Sequence, residues 1–403
     1  MPFNNIGFFA KRRGLGGVGG VTPAPSRNLV ITPTLTNNAE TISWTATSNM
    51  AAGTILNFAI TNLSNTDFTD GAVSGNVTLN SSGGFTITRN IDRLANYSNT
   101  NVVFNLQVIN PDSSVVLGQS ANAVVKPATP FVALGGVTTI VDTAYTVHTF
   151  TSTGNSNLTI SALGEYPSNL SIRALVVSGG GAGSPGSSYR ESIFGAITNY
   201  SQVGGPGGPG GRATDSNVAA STFSVGNVKV TVGAGGTATV GAIASSFNNV
   251  IPTGTTISGA SATFTESPSP YNRSESAGGG GYGAGGNGGD GVATSLTNVR
   301  GGQGGVGLIS DITGTAVTYA CGGGGGGSTG GGLAGCSGAG NGGGESDDGA
   351  NATVSTGGGG GGGGPPALAS IPDNTTVFSI GGNGASGIVV VRYLSRYRNM
   401  ALT

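Results

Sequence analysis

CGGGGGGSTGGGLAGCSGAGNGGGESDDGANATVSTGGGGGGGG (321–364) is the stretch on which the reading of the whole chain turns. So few side chains cannot make an apolar core. Fixing each backbone residue costs about 1–2 kcal/mol, with glycine at the high end. An isolated run of this kind stays disordered, because its peptide groups have no partners. One ordered solution is the extended polyproline-II-type helix, rising ~3.1 Å per residue. Bare Cα atoms let such helices pack closely, and their outward peptide groups bond from helix to helix. The octaglycine 357–364 would span roughly 25 Å in that form. Many runs must cooperate, since one helix alone satisfies nothing.

The rest of the chain supplies the other runs. Gly-dense segments recur at 178–186, 204–211, 233–236, 278–291, 301–307 and 381–387. Between them lie strand-like segments: FSVGNVKVTV (223–232), ATFTES (262–267), TAVTYA (315–320), TTVFSI (375–380) and GIVVVRYL (387–394). A flexible linker has no reason to return repeatedly to apolar β-branched residues. Residues 1–178 hold 16 of the 79 glycines, so the architecture changes partway along the 403-residue chain.

Upstream, residues 28–126 read as an immunoglobulin-like β-sandwich. Seven segments are rich in β-branched and aromatic residues. Many of them alternate apolar and polar residues, among them TISWTATS (41–48) and NVVFNLQVIN (101–110), and turn signals such as SSGG and NPDSS separate them. Trp44, the only tryptophan, is expected in the core. Residues 127–144 are a Pro-bounded linker and first strands, 145–394 the glycine-rich domain and 395–403 a tail. Residues 1–27 read as an arm. Phe3, Ile6, Phe8 and Phe9 precede Lys11-Arg12-Arg13, followed by a Gly/Pro hinge. An apolar-then-basic tip suits docking onto another protein through Phe3, Phe8, Phe9, Lys11, Arg12 and Arg13; the alternative is a frayed terminus. The expected fold class is all-β: the sandwich, then a β/polyglycine-II domain, with almost no helix.

Composition excludes several functions. There are 16 Lys+Arg against 17 Asp+Glu, and a dedicated nucleic-acid binder would be strongly basic. No apolar run approaches the ~20 residues of a bilayer-spanning helix. The N-terminal charges follow the apolar patch, which is not the order of a secretory leader. One histidine, His148, gives a metal site or a serine-type triad little to build with. It lies in an alternating strand, TVHTF, and is expected to face a sheet. Cys321 and Cys336 lack a CxxC pattern: they are either a disulfide bracketing a Gly-rich loop or two buried thiols. Glu345, Asp347 and Asp348 cluster in GESDDGAN. Calcium binding and glycoside hydrolysis both need spacing and rigidity that this turn lacks, so a solvated turn is expected. No cofactor, metal or enzyme activity is expected.

The aromatic and charged residues of the glycine-rich region fall between its runs. Tyr189, Arg190, Phe194 and Tyr200 lie between two runs, and Tyr271, Asn272 and Arg273 before a third. Aromatic and polar groups on loops of a rigid frame suit recognition. The competing reading is that each tyrosine packs on its own loop.

VHTFTSTGNSNLTIS (147–161), ALVVSGGGAGS (174–184), VKVTVGAGG (228–236), GGGGYGAGGNGG (278–289) and GGNGASGIVVVRY (381–393) together resemble the glycine-rich domain of bacteriophage tail-fibre and other virion proteins. The order and spacing of these motifs carry the likeness, over about 145–394. More distantly, the region is similar to phage tip adhesins whose packed polyglycine helices present loops to a host receptor. The resemblance implies a virion location, other virion proteins as partners, and a host surface polysaccharide or outer-membrane protein as target. It also implies a homo-oligomer, with trimers common in phage fibres. The alternative is a purely structural virion component (capsid decoration, head fibre or tail-associated protein) docked through the arm.

Overall fold

A computed structural model describes residues 28–37, 39–94, 100–165, 171–193, 196–247, 262–266, 272–295 and 298–403. The described chain is almost all β, as expected, with only three short 3-10 turns besides strands. It divides into two compact units.

The first unit contains residues up to Ile91, Val102–Val125 and Met400–Thr403. Alternation builds it. Ile42, Trp44 and Ala46 of strand Thr41–Ser48 are at most 1% exposed, while Ser43 and Thr45 point away. The segment 101–110 forms two strands rather than one. Val102–Phe104 pairs with Ala123–Pro127, and Leu106–Ile109 pairs with Ile55–Ile60, so the chain changes sheet at Asn105. Thr61 and Asn105 hold the crossing, with the Asn105 N–H 3.0 Å from Thr61 Oγ1. Phe104, Leu106 and Val108 all stay in the core, and Trp44 meets Phe104 edge-on at 6.3 Å. Pro33 is tolerated because Leu29–Thr36 is an edge strand. The C-terminal residues are not a free tail: Arg398–Leu402 is a strand beside Ala123–Pro127, and Met400 joins the core.

The second unit contains Asp92–Asn101 and Lys126–Asn399. It opens with two sheets. One orders Val132–Leu134, Gly154–Ala162, Gly226–Val232 and Ser246–Phe247. The other orders Val137–Val141, Tyr145–Phe150, Ile388–Leu394, Ser171–Val177 and Ala213–Ala219. Leu158, Ile160, Val230, Ile172, Val176, Val389 and Val391 share a core. Val147, Leu175, Ile388 and Val390 face a second core with Ile312 and Tyr319. Both faces of the five-stranded sheet are therefore buried, which is why its strands read as unbroken apolar runs (IVVV, ALVV) rather than alternating ones.

The glycine runs continue from these strands as a lattice. From Gly322 to Gly327, successive N–H groups donate to Gly305, Gly208, Gly340, Gly302, Gly205 and Gly343. Every third donor returns to the same neighbouring run, the signature of three residues per turn. The octaglycine behaves alike. Its residues 359–364 donate in rotation to the runs holding Cys321 and Gly324, Gly181 and Ser184, and Asp347 and Ala350. Its carbonyls accept from Ala385 and Gly382, from Gly340 and Gly343, and from Gly208 and Gly205. Six neighbours surround one run. A Cβ on Gly322, Gly323, Gly324, Gly359, Gly360 or Gly361 would lie closer than 3.0 Å to a carbonyl oxygen of an adjacent run, so side chains are excluded by space.

The runs with fewer neighbours keep a strict triplet. In VGGPGGPGGR (203–212), RGGQGGV (300–306) and IGGN (380–383), the non-glycine residue recurs every third position. Val203, Pro206, Arg212, Arg300, Gln303, Val306, Ile380 and Asn383 are exposed. A collagen-like period is absent from the chain as a whole but present along these border runs. Cys321 and Cys336 are joined, with Cα atoms 5.8 Å apart, which settles the two sequence alternatives in favour of the disulfide.

Candidate functional site

The segments interrupting the runs converge on a third sheet, in the order Ala262–Glu266, Asn272–Ala277, Ala196–Val203, Ser187–Ile193, Thr375–Phe378. Tyr189, Arg190, Tyr200, Asn272 and Arg273 were expected on loops and are instead strand residues. The reason is cross-pairing: each segment alone reads as polar loop, but Ser187–Ile193 pairs antiparallel with both Ala196–Val203 and Thr375–Phe378. Ala196–Val203 in turn pairs parallel with Asn272–Ala277.

Register divides the sheet into two faces. On one, Ser188, Gln202 and Glu275 are at most 3% exposed. Ser188 Oγ donates to the Pro366 carbonyl at 2.7 Å, Gln202 Nε2 donates to the same carbonyl at 3.1 Å, and Ser328 Oγ donates to Glu275 at 3.0 Å. These polar residues key the sheet onto the end of the octaglycine. Sequence reading missed all three; their signal is their position between the more conspicuous Tyr189, Tyr200 and Arg273. On the other face lie Tyr189, Phe378 and Val203, at 37%, 64% and 37% exposure, with Ser201 and Ser274 in register with Tyr189. The sheet thus presents an aromatic and hydroxyl-bearing surface on a fixed base.

The register also brings together residues far apart in sequence: Arg190 stands opposite Tyr200, Tyr200 opposite Arg273, and Asn199 opposite Asn272. Arg190 forms an ion pair with Asp373 at 3.0 Å. Phe194 and Tyr271 lie outside the described residues, as do Phe3, Phe8, Phe9, Lys11, Arg12 and Arg13. Of the acidic trio, Asp348 Oδ1 accepts from the Ile380 N–H at 2.7 Å and Glu345 is 3.4 Å from Gln202 Nε2. Among the described residues, no three metal-ligating side chains gather.

The other polar clusters are structural. His148 is fully buried. Its Nδ1 lies 2.7 Å from the Gly135 carbonyl, which can only accept, so Nδ1 carries the hydrogen and Nε2 accepts from Tyr393 Oη at 3.0 Å. Burial pushes the imidazole pKa below its usual value, against a smaller opposing contribution from the Gly135 bond. Arg173 holds Asp215 with two bonds of 2.8 and 2.6 Å and Asp311 with a third of 2.6 Å, which fastens the turn after Leu308–Ser310 to the sheet. The Arg173 bond holds the Asp311 carboxyl below the ordinary carboxylate range. Tyr397 is pushed up to about 12 by burial.

The fold and site define an all-β protein in which a glycine lattice supports a sheet with exposed aromatic and hydroxyl-bearing side chains. Residues 151–394 match the glycine-rich domain family, and the chain belongs to that family. No curated protein and no solved structure gives a significant match.

Proposed function

We propose that the chain is a bacteriophage virion protein of tail-fibre or adhesin type that recognises a host surface molecule without catalysis. The observation that carries this reading is the five-stranded sheet, whose inner face is keyed to the lattice and whose outer face offers Tyr189, Phe378 and Val203 among hydroxyl groups. Rigid aromatic groups beside adaptable polar ones suit recognition at low entropic cost. The lattice holds that surface without needing sequence variety of its own, so variation can be confined to the inserts. The Cys321–Cys336 bond is in keeping with a particle surface, where disulfides persist. Copies on one particle would multiply weak contacts through effective concentration.

The test is binding of the labelled full chain to a panel of bacterial strains, beside Tyr189→Ser/Phe378→Ser. Saturable binding to some strains, weakened at least about tenfold by the double substitution, is expected. Both positions are exposed, so the variant should keep the wild-type melting temperature. Binding that is indifferent to the substitution, or absent from every strain, contradicts the reading.

A further inference from the structure

A cavity of about 440 Å³ opens where strands feed into the lattice, lined by Ser178, Pro209, Arg212, Ile243, Tyr282 and glycine backbone. It shares no residue with the five-stranded sheet. Four parts of the chain build it: the exit of strand Ser171–Val177, the triplet run ending at Arg212, the loop 241–244, and Tyr282 from the run 278–291. The backbone fixes its walls. Gly210 N donates to the Tyr282 carbonyl at 2.7 Å, and Gly179 N donates to the Ile243 carbonyl at 3.1 Å. The triplet turns Pro209 and Arg212 to the same side.

The polar side chains of this cavity have bonding capacity to spare. Arg173, Arg190 and Arg392 each hold a carboxylate, whereas Arg212 has no acidic partner among the described residues. The Tyr282 hydroxyl likewise has no partner among them. Ser178 Oγ accepts from Ser245 N at 3.3 Å, but its own hydrogen finds no acceptor there. The lining contains one cation and no carboxylate. A guanidinium and a phenol without side-chain partners, and a hydroxyl with its hydrogen to spare, set between a proline ring, a tyrosine ring and an isoleucine, match a ligand that is anionic at one point and amphipathic elsewhere.

We propose that this cavity binds a carboxylated sugar, such as a uronic acid unit of an acidic polysaccharide. The Arg212 fork pairs with the carboxylate in the two-bond geometry that guanidinium favours. The Tyr282 ring and Pro209 cover the apolar face of the pyranose, as aromatic side chains do with one apolar and one polar end available. Ser178 and glycine carbonyls reach the ring hydroxyls. The volume lies in the usual range of small-ligand sites, roughly 300–1,000 Å³. A bare phosphate or acetate would engage Arg212 and leave the apolar walls unused.

The full chain is titrated with glucuronate and galacturonate, and with glucose and galactose as neutral counterparts, by ligand-observed NMR. Acetate and inorganic phosphate are titrated separately, and the uronate series is repeated on Arg212→Gln and Tyr282→Phe. At least one uronate should bind about tenfold more tightly than its neutral counterpart. Arg212→Gln should remove that advantage, and Tyr282→Phe should weaken binding by about threefold or more. Arg212 is exposed, so the melting temperature of its variant should not move. Failure of both uronates to bind, equal binding of the neutral sugars, or undiminished binding by Arg212→Gln would overturn the assignment. Acetate or phosphate binding as tightly as the uronates would overturn the sugar as ligand.

Discussion

Gln303 and Gly304 are neighbours in one run with opposite tolerances. Gln303 is exposed, and its carbonyl accepts from Gly289 whatever its side chain. A Cβ on Gly304 would collide with the Gly322 carbonyl. Gln303→Ala should change stability by no more than about 0.5 kcal/mol, whereas Gly304→Ala should cost about 3 kcal/mol or more through overpacking and lost interhelical bonds. Denaturant titration of both variants measures the difference; equal effects would mean that the runs are not packed. His148 gives a pH prediction. Its folded pKa is depressed, so only the unfolded chain takes up this proton just below pH 6.5. Stability from this group is therefore complete above that pH and is lost as pH falls towards the folded pKa. His148→Gln should flatten the acidic limb of a melting-temperature profile; an unchanged limb would show that other groups set it. At this scale the sequence was informative about Trp44 and His148, because alternation assigns their faces. It was silent on Ser188, Gln202 and Glu275, whose burial arises from pairing with strands up to 190 positions away.

Among the elements, strands were legible where they carried apolar residues. Thr41–Ser48 and Ile388–Leu394 fall where the pattern puts them, since β-branched and aromatic runs specify a pleated, buried surface without help. The polar strands Ser187–Ile193 and Ala196–Val203 read as loops because their stabilisation comes from neighbours on both sides and from the lattice end. The triplet of the border runs was present in the sequence, but it is local and disappears when the period is sought over the whole chain. The disulfide acts on this level too. It closes a 15-residue separation between the central run and the next. Cys321→Ala/Cys336→Ala should lower stability by about 3 kcal/mol, from the freedom restored to the unfolded chain. A denaturant midpoint that does not move would show that the lattice already constrains this loop.

For the molecule as a whole, two ways of satisfying a backbone coexist in one chain. The sandwich strands bury apolar side chains and pair in sheets. The lattice buries almost no side chains and makes each glycine peptide bond to a different neighbour in turn. This accounts for how a domain with so much glycine is ordered, and why its sequence variety collects in the inserts that form the third sheet. Composition pointed to the lattice, but not to which run lies beside which; that depends on loop lengths and on the strands that feed each run. Amide hydrogen exchange of the full chain tests the lattice most directly. The amides of 322–327 and 359–364 should be protected to the same degree as those of Ile388–Leu394, because each belongs to a buried glycine and donates to a carbonyl of a neighbouring run. Exchange of the glycine amides at the rate of unstructured peptide, while the strand amides stay protected, would contradict it.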